Sequence, residues 1–402
     1  MYDAYIVDGI RTPIGNLGGS LSPVRTDDLA AFVIAALLER NPQISGEVID
    51  DAILGCHNQA GEDNRNVARM ALLLAGLPSK VPGETVNRLC ASGMSAVVHA
   101  ARAIYAGDGN VFIAGGVEHM TRGPWVISKS SKPFGNDAQM FDSSFGWRFV
   151  NPEMHRRYGT DPMGITAEHV AEQYRVSRHD QDLFAWHSQQ KATQADVNGR
   201  LAMEIKPVPV PQKKGDAVLF SKDEFIKPDT TVEKLAQLKP AFKKEGGSVT
   251  AGNSSGLNDG AVALFIVSEK ALKDYNLTPL ARIISSAVVG VEPRIMGIGP
   301  VGATQKALKN AGLTMEEIGI IELNEAFAAQ SLACTRLLGL EDNDPRLNPN
   351  GGAIALGHPL GMSGARILLS TAIEMKQQNK RYGLATMCVG VGQGYATILE
   401  KV

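Results

Sequence analysis

Short apolar runs alternate along the chain with longer stretches in which apolar and polar residues mix at helical spacing. Residues 4–7 read as a buried strand, and residues 28–38, behind Thr26 and Asp27, as a helix. The alternation continues with strands over 51–55, 83–87 and 110–115 and helices over 66–75 and 92–105. It resumes with strands over 262–268, 280–289, 319–323, 383–388 and 395–400, and helices over 303–311, 325–338 and 361–377. Strand–helix alternation predicts an α/β fold with a parallel-rich sheet. Each half sets a reactive residue just before a long helix, then an apolar strand ending in a Gly-rich turn. This reads as an internal duplication. Residues 120–249 break the rhythm. They carry much of the Trp, Lys and Arg, turns such as Ser130-Ser131-Lys132-Pro133, and one polar helix over 180–198.

The 402 residues are too many for one simple core and imply two or three domains. A content of 44% hydrophobic and 20% charged residues is ordinary for a globular protein. The net charge of −2 gives no electrostatic case for a nucleic-acid or membrane partner. No apolar run reaches the roughly 20 residues of a membrane span. Neither end carries a targeting pattern, so a cytoplasmic location is expected. The four cysteines then read as free thiols. Cys56 closes an apolar strand and Cys334 lies in an apolar helix, which suits packing. No cluster has metal-ligand spacing and no Gly-x-Gly-x-x-Gly follows a strand, so neither a metal nor a nicotinamide is expected.

The other two cysteines sit differently. Cys90 ends a strand, and Ser92-Gly93 open a helix behind it. That position suits either an inert buried thiol or a nucleophile whose thiolate the helix N-terminus favours. Cys388 opens Cys-x-Gly-x-Gly-x-Gly, with a strand after it rather than the helix a phosphate loop needs, so a second acid/base thiol fits better. His358 precedes Pro359 and so falls at an exposed helix cap. Asn324 ends a strand and caps the next helix. Two thiols and an imidazole among glycines suggest covalent acyl transfer, with backbone N–H groups close to a developing oxyanion.

Six blocks, in order, resemble the signature segments of thiolases: residues 7–15, 87–96, 250–260, 324–328, 351–359 and 388–394. The resemblance implies a duplicated five-layer αβαβα sandwich. One half would be residues 1–119 with 250–270, the other 271–402, and 120–249 a loop domain covering the site. It further implies Cys90 as nucleophile, His358 as base and Cys388 as second acid/base. Gly390 would supply an oxyanion N–H, and Asn324 a water-held second oxyanion site. Lys227, Phe242, Ala251 and Ser255 match positions along the coenzyme A tunnel, and Met163, Met296 and Phe327 line the acyl end. Coenzyme A would be a co-substrate, with no permanently bound cofactor, and the assembly a homodimer or homotetramer. Biosynthetic relatives commonly place His just before Met163, where this chain has Pro162. Residues 146–152, Gly-Trp-Arg-Phe-Val-Asn-Pro, resemble the 3-oxoadipyl-CoA group, whose acyl tail ends in a carboxylate. Arg148, Arg156 and Arg157 are candidate partners for it. The rivals are a broad-range 3-oxoacyl-CoA thiolase, a biosynthetic acetoacetyl-CoA thiolase and a non-catalytic carrier or scaffold of the same fold.

Overall fold

A computed structural model describes residues 3–402. Nine strands form its central path: β1 (Ala4–Arg11), β2 (Asp51–Gly55), β3 (Gly83–Val86), β4 (Val111–His119), β5 (Asn258–Ser268), β6 (Ala281–Gly290), β7 (Ile318–Leu323), β8 (Tyr382–Val389) and β9 (Gln393–Glu400). Their order is β7-β8-β9-β6-β1-β5-β4-β2-β3, and Gly15–Asn16 pairs with β5 beside it. The duplication is explicit in the pairing. β1–β5 and β5–β4 are antiparallel and β4–β2 parallel. Likewise β6–β9 and β9–β8 are antiparallel and β8–β7 parallel. β3 adds in parallel to β2, and a parallel bridge from Leu347 to Ile321 marks the matching edge of the second half. The halves join where Ala4–Ile6 run antiparallel to Ala281–Ile283.

The expected parallel-rich sheet is therefore corrected: its central pairings are antiparallel. β8 returns as β9 through the three-residue turn 390–392, too short for a parallel crossover. β5 enters from the long insertion and runs antiparallel to β4.

Three helical layers sandwich the strands. α1 (Thr26–Arg40) and α2 (Val67–Leu74) pack Leu29, Ile34, Leu37 and Leu72 against Leu54 and Phe265. On the far side, α4 (Gly299–Ala311) and α5 (Ala328–Leu337) pack Leu308 and Leu332 against Leu384 and Ile398. Between them, α3 (Ser92–Ala106) and α6 (Leu360–Gln377) bury Met94, Val97, Leu368 and Leu369 against Leu264 and Met387. The result is the expected αβαβα order. Strand β5, covered on both faces, is buried at every position, as its unbroken apolar run requires.

The first turns of α3 and α6 meet backbone to backbone. A Cβ on Gly93 would lie 2.6 Å from the Gly361 carbonyl oxygen, and one on Gly361 only 2.3 Å from that of Val117. This approach puts the residues preceding each helix at one cleft. The insertion carries helices Met163–Gln173 and Arg178–Val197, the latter close to the expected polar helix. It is anchored by buried ion pairs. Arg11 forks onto Asp223 at 2.7 and 2.8 Å and reaches Glu204 at 2.9 Å, and Arg200 meets Glu374 at 2.8 Å. Among the described residues no helix is long and apolar enough to cross a membrane.

Candidate active site

Cys90 sits on a tight turn between β3 and α3. Asn87 Oδ1 accepts the Leu89 N–H at 2.8 Å, while Ser92 Oγ accepts from Arg88 N at 2.9 Å and donates to the Leu89 carbonyl at 2.6 Å. These bonds hold Leu89 at φ 48°, a left-handed conformation costing about 1–2 kcal/mol for a non-glycine residue. Cys90 stays partly exposed, so a substrate can reach it. Burial of its surroundings pushes the thiol up to about 11, and the N–H groups of Gly390 and of Cys90 itself pull the other way. Burial thus opposes the thiolate that a helix terminus favours.

His358 lies two residues ahead of α6. Its N–H donates to Asn258 Oδ1 at 2.9 Å, and Gly357 before it takes φ 103°, which suits glycine alone. The expected exposed cap is corrected: His358 is 5% exposed, and Pro359 holds the cap position. The tightly packed Gly93–Gly361 contact draws the imidazole inside. Its Nδ1 is 2.7 Å from Ser363 Oγ, and Ser363 spends its own hydroxyl proton on the Pro359 carbonyl at 2.9 Å. Ser363 can then only accept, so Nδ1 carries the proton and Nε2 keeps a lone pair. Burial, assisted by the Arg366 charge, lowers the imidazole to about 3. The imidazole is neutral, and its Nε2 lone pair can accept a proton.

Asn324 Nδ2 approaches that Nε2 at 3.4 Å. Its capping role is corrected as well: the next helix starts at Ala328 rather than 325, so the Asn324 side chain is free of that duty. Its Oδ1 is buried with no partner among the described residues, as a water-holding group would be. Glu325 ties the loops together. It accepts from Ser188 Oγ at 2.6 Å, Asn348 Nδ2 at 2.7 Å and Ile354 N at 3.2 Å.

Cys388 is the penultimate residue of β8 and is 1% exposed. Burial raises its thiol well above the usual range, and the nearby sulfurs of Cys90 and Cys334 add to that. It packs in a small apolar cluster with Met296, Ala326 and Phe327. The structure thus joins Cys90, Gly390 and Cys388 on one side of the cleft, and His358 and Asn324 on another. Ser363, Asn258 and Ser188 were missed from sequence. Only Ser363, a hydroxyl one turn beyond the His-Pro cap, left a readable signal. Cys56, Asp63 and Glu118 bring ligand-type atoms within 4.8 Å of one another. Glu118 is engaged by the N–H groups of His57, Asn58 and Gly361, which locks the end of β2 to α6.

Comparison with known proteins matches residues 4–270 to the thiolase N-terminal domain and 277–401 to the thiolase C-terminal domain. The chain belongs to the thiolase family. It is 58% identical over 402 residues to the 3-oxoadipyl-CoA/3-oxo-5,6-dehydrosuberyl-CoA thiolase of Escherichia coli (strain K12), covering all of both chains. It is 56% identical over 402 residues to a beta-ketoadipyl-CoA thiolase of Acinetobacter baylyi, again covering all of both. Among solved structures, the Bacillus anthracis acetyl-CoA acetyltransferase superposes with a TM-score of 0.92 at 40% identity, over 100% of this chain and 99% of that one. Human mitochondrial 3-ketoacyl-CoA thiolase in complex with CoA gives 0.91 at 38%, over 100% and 98%.

In this thiolase Phe242 stands edge-on to Phe327 at 6.3 Å and rests on Gly164. Ser255 N donates to the Ala326 carbonyl at 3.0 Å, with exposed Ala251 just upstream. These residues converge on the Met296–Phe327–Cys388 wall, and Met163 begins a helix that packs against it. Lys227 is exposed, its ammonium 4.7 Å from the Phe225 ring. Arg148 donates to the Ser143 carbonyl at 3.0 Å and its charge faces His57. Arg156 and Arg157 lie on the surface, both paired with Glu153.

Proposed function

We propose that this thiolase cleaves a 3-oxoacyl-CoA with coenzyme A, and that 3-oxoadipyl-CoA is its preferred substrate. One observation carries the reaction: the Cys90 thiol meets the Gly390 N–H with the Cys388 sulfur nearby, while a tautomer-fixed, neutral His358 stands ready as base. His358 takes the Cys90 proton as the sulfur attacks the 3-oxo carbon. The N–H groups of Cys90 and Gly390 stabilise a thioester oxygen held near Cys90, and Asn324, through a water, the oxygen on the far side. The C2–C3 bond breaks, its electron pair leaves on acetyl-CoA as an enolate, and Cys388 supplies the proton to C2. The Cys388 thiolate recovers a proton from the His358 imidazolium; coenzyme A then gives its thiol proton to the neutral His358 and takes the acyl group from Cys90, whose thiolate receives that proton in turn. With 3-oxoadipyl-CoA the products are acetyl-CoA and succinyl-CoA.

Segment 120–249 covers the cleft. Lys227, Phe242, Ala251 and Ser255 hold coenzyme A, while Met163, Met296 and Phe327 line the acyl end. The substrate reading is supported by the names of the full-length relatives and by Pro162, which replaces the His common in biosynthetic enzymes. A second reading, a broad-range 3-oxoacyl-CoA thiolase, is favoured by 47% identity over 404 residues to the 3-ketoacyl-CoA thiolase of Pseudoalteromonas translucida, covering all of both chains. Presence of Cys90, His358 and Cys388 disfavours a non-catalytic carrier. A homodimer or homotetramer is supported by exposed Trp125, Ile127 and Met140 on one hairpin, an apolar surface unusual in a monomer. Thiolysis by the purified protein of acetoacetyl-CoA, a medium-chain 3-oxoacyl-CoA and 3-oxoadipyl-CoA tests the reading. The highest kcat/KM is expected with 3-oxoadipyl-CoA, and equal constants would leave the broad-range enzyme.

A further inference from the structure

A substrate with a far carboxylate needs a cation at the outer end of the acyl wall. The arginines prominent in sequence are otherwise engaged: Arg156 and Arg157 share Glu153, and Arg148 holds the Ser143 carbonyl. We infer that Arg294 is the specificity-determining residue that receives the distal carboxylate of the acyl tail. The inference rests on the proposed preference for a carboxylate-bearing 3-oxoacyl-CoA.

Arg294 shares the short 3-10 helix Pro293–Ile298 with Met296. Met296 is buried in the wall beside Phe327 and Cys388, whereas the Arg294 side chain is 55% exposed. The turn therefore runs from the reacting end to the rim within two residues. The opposing helix Met163–Gln173 packs on this turn, and Asp161 stands two residues before Met163. Asp161 Oδ2 lies 3.2 Å from Arg294 Nε and 3.5 Å from His169 Nε2. The Asp161 carbonyl is held in turn by the Trp147 indole N–H at 3.2 Å. Gly159, at φ 74°, leaves room for the guanidinium: a Cβ there would fall 2.6 Å from Arg294 Nε.

Asp161 thus faces the guanidinium on its Nε side as an opposite charge, without a hydrogen bond to it. The two Nη groups of Arg294 donate to no protein acceptor among the described residues. That leaves the planar end of the guanidinium for a carboxylate, which it binds with two parallel N–H donors. Asp161 orients the cation from the side, and the remaining charges nearby, His169 and the Glu153–Arg156–Arg157 group on the preceding helix, are engaged with protein partners.

The test compares kcat/KM for 3-oxoadipyl-CoA and for 3-oxohexanoyl-CoA, an uncharged substrate of equal length, in the full-length enzyme and its Arg294→Met, Arg294→Lys and Arg148→Met variants. Arg294→Met should lower the ratio of the two constants by about ten- to a hundredfold, the worth of a charge-assisted hydrogen-bonded pair. Arg294→Lys should recover part of the ratio, and Arg148→Met should keep it. An Arg294→Met enzyme that loses both activities in equal proportion, or a ratio that collapses only in Arg148→Met, would overturn the inference. Equal constants in the unaltered enzyme would overturn the substrate reading together with it. A preference that survives Arg294→Met would overturn this inference alone.

Discussion

Ser363→Ala is the sharpest perturbation of the base. In the native site Nδ1–H of His358 points at a buried oxygen 2.7 Å away, and Ser363 is fully buried. Alanine leaves that N–H without an acceptor, which costs about 1–3 kcal/mol for a buried donor. The cost falls on the tautomer that catalysis needs, because moving the proton to Nε2 relieves it. Nε2 then no longer accepts a proton from Cys90. At 1.4 kcal/mol per tenfold, kcat should fall about five- to a hundredfold. The proposed acyl wall of Met296 and Phe327 lies on other elements than Ser363, so KM for the acyl-CoA should change far less than kcat. Thermal unfolding measured alongside separates the tautomer effect from the lost Ser363–Pro359 bond, itself worth about 1 kcal/mol of stability. A folded Ser363→Ala enzyme with kcat within about twofold of the parent would refute the assignment of Nε2 as the proton acceptor.

Cys388→Ala should still accept an acyl group on Cys90 yet lose proton exchange at C2 of acetyl-CoA; exchange at the parent rate, followed by deuterium incorporation, would remove Cys388 from the mechanism. With the Cys90 thiol pushed up to about 11 and His358 down to about 3, both are neutral between those values. Iodoacetamide labelling of Cys90 should therefore climb by roughly tenfold per pH unit across neutrality as the thiolate fraction grows. A rate already flat from acid pH upward would show a preformed thiolate–imidazolium pair instead. Gly361→Ala places a methyl 2.3 Å from the Val117 carbonyl oxygen and 2.7 Å from that of Gly55, so the start of α6 must lift off strands β4 and β2, at about 1–3 kcal/mol or more. Calorimetry should report a lowered Tm, and an unchanged Tm would mean that the approach is looser than described.

Much of this was readable in one dimension. Apolar periodicity and glycine placement located the nine strands of the central path, the helices that sandwich them and the polar helix of the insertion, but not Met163–Gln173 or the shorter helices and hairpins, and the reactive residues stood out because each occurs where a strand stops and small residues follow. Strand direction was not readable, since a run of apolar residues reports burial and not its neighbour; the turn 390–392 decides that locally. The His358 cap failed for a similar reason. A His-Pro pair marks a helix start, but whether the start faces water depends on the Gly93–Gly361 contact between segments far apart in the chain. Asn324 looked like a cap because its neighbours resemble a helix, while the Ser254–Phe327 bridge keeps the chain extended until Ala328. Arginines drew notice in the loop where they cluster. Arg294, alone beside Met296, is conspicuous only once the wall is folded.

The central claim is that the acyl group passes through Cys90. Mass spectrometry of the enzyme mixed with 3-oxoadipyl-CoA in the absence of free coenzyme A tests it directly. A succinyl group should appear on the Cys90 peptide, together with released acetyl-CoA, and should vanish when coenzyme A is added, with succinyl-CoA formed. Turnover of the same substrate with no acyl group on Cys90, or its persistence in Cys90→Ser, would contradict the account.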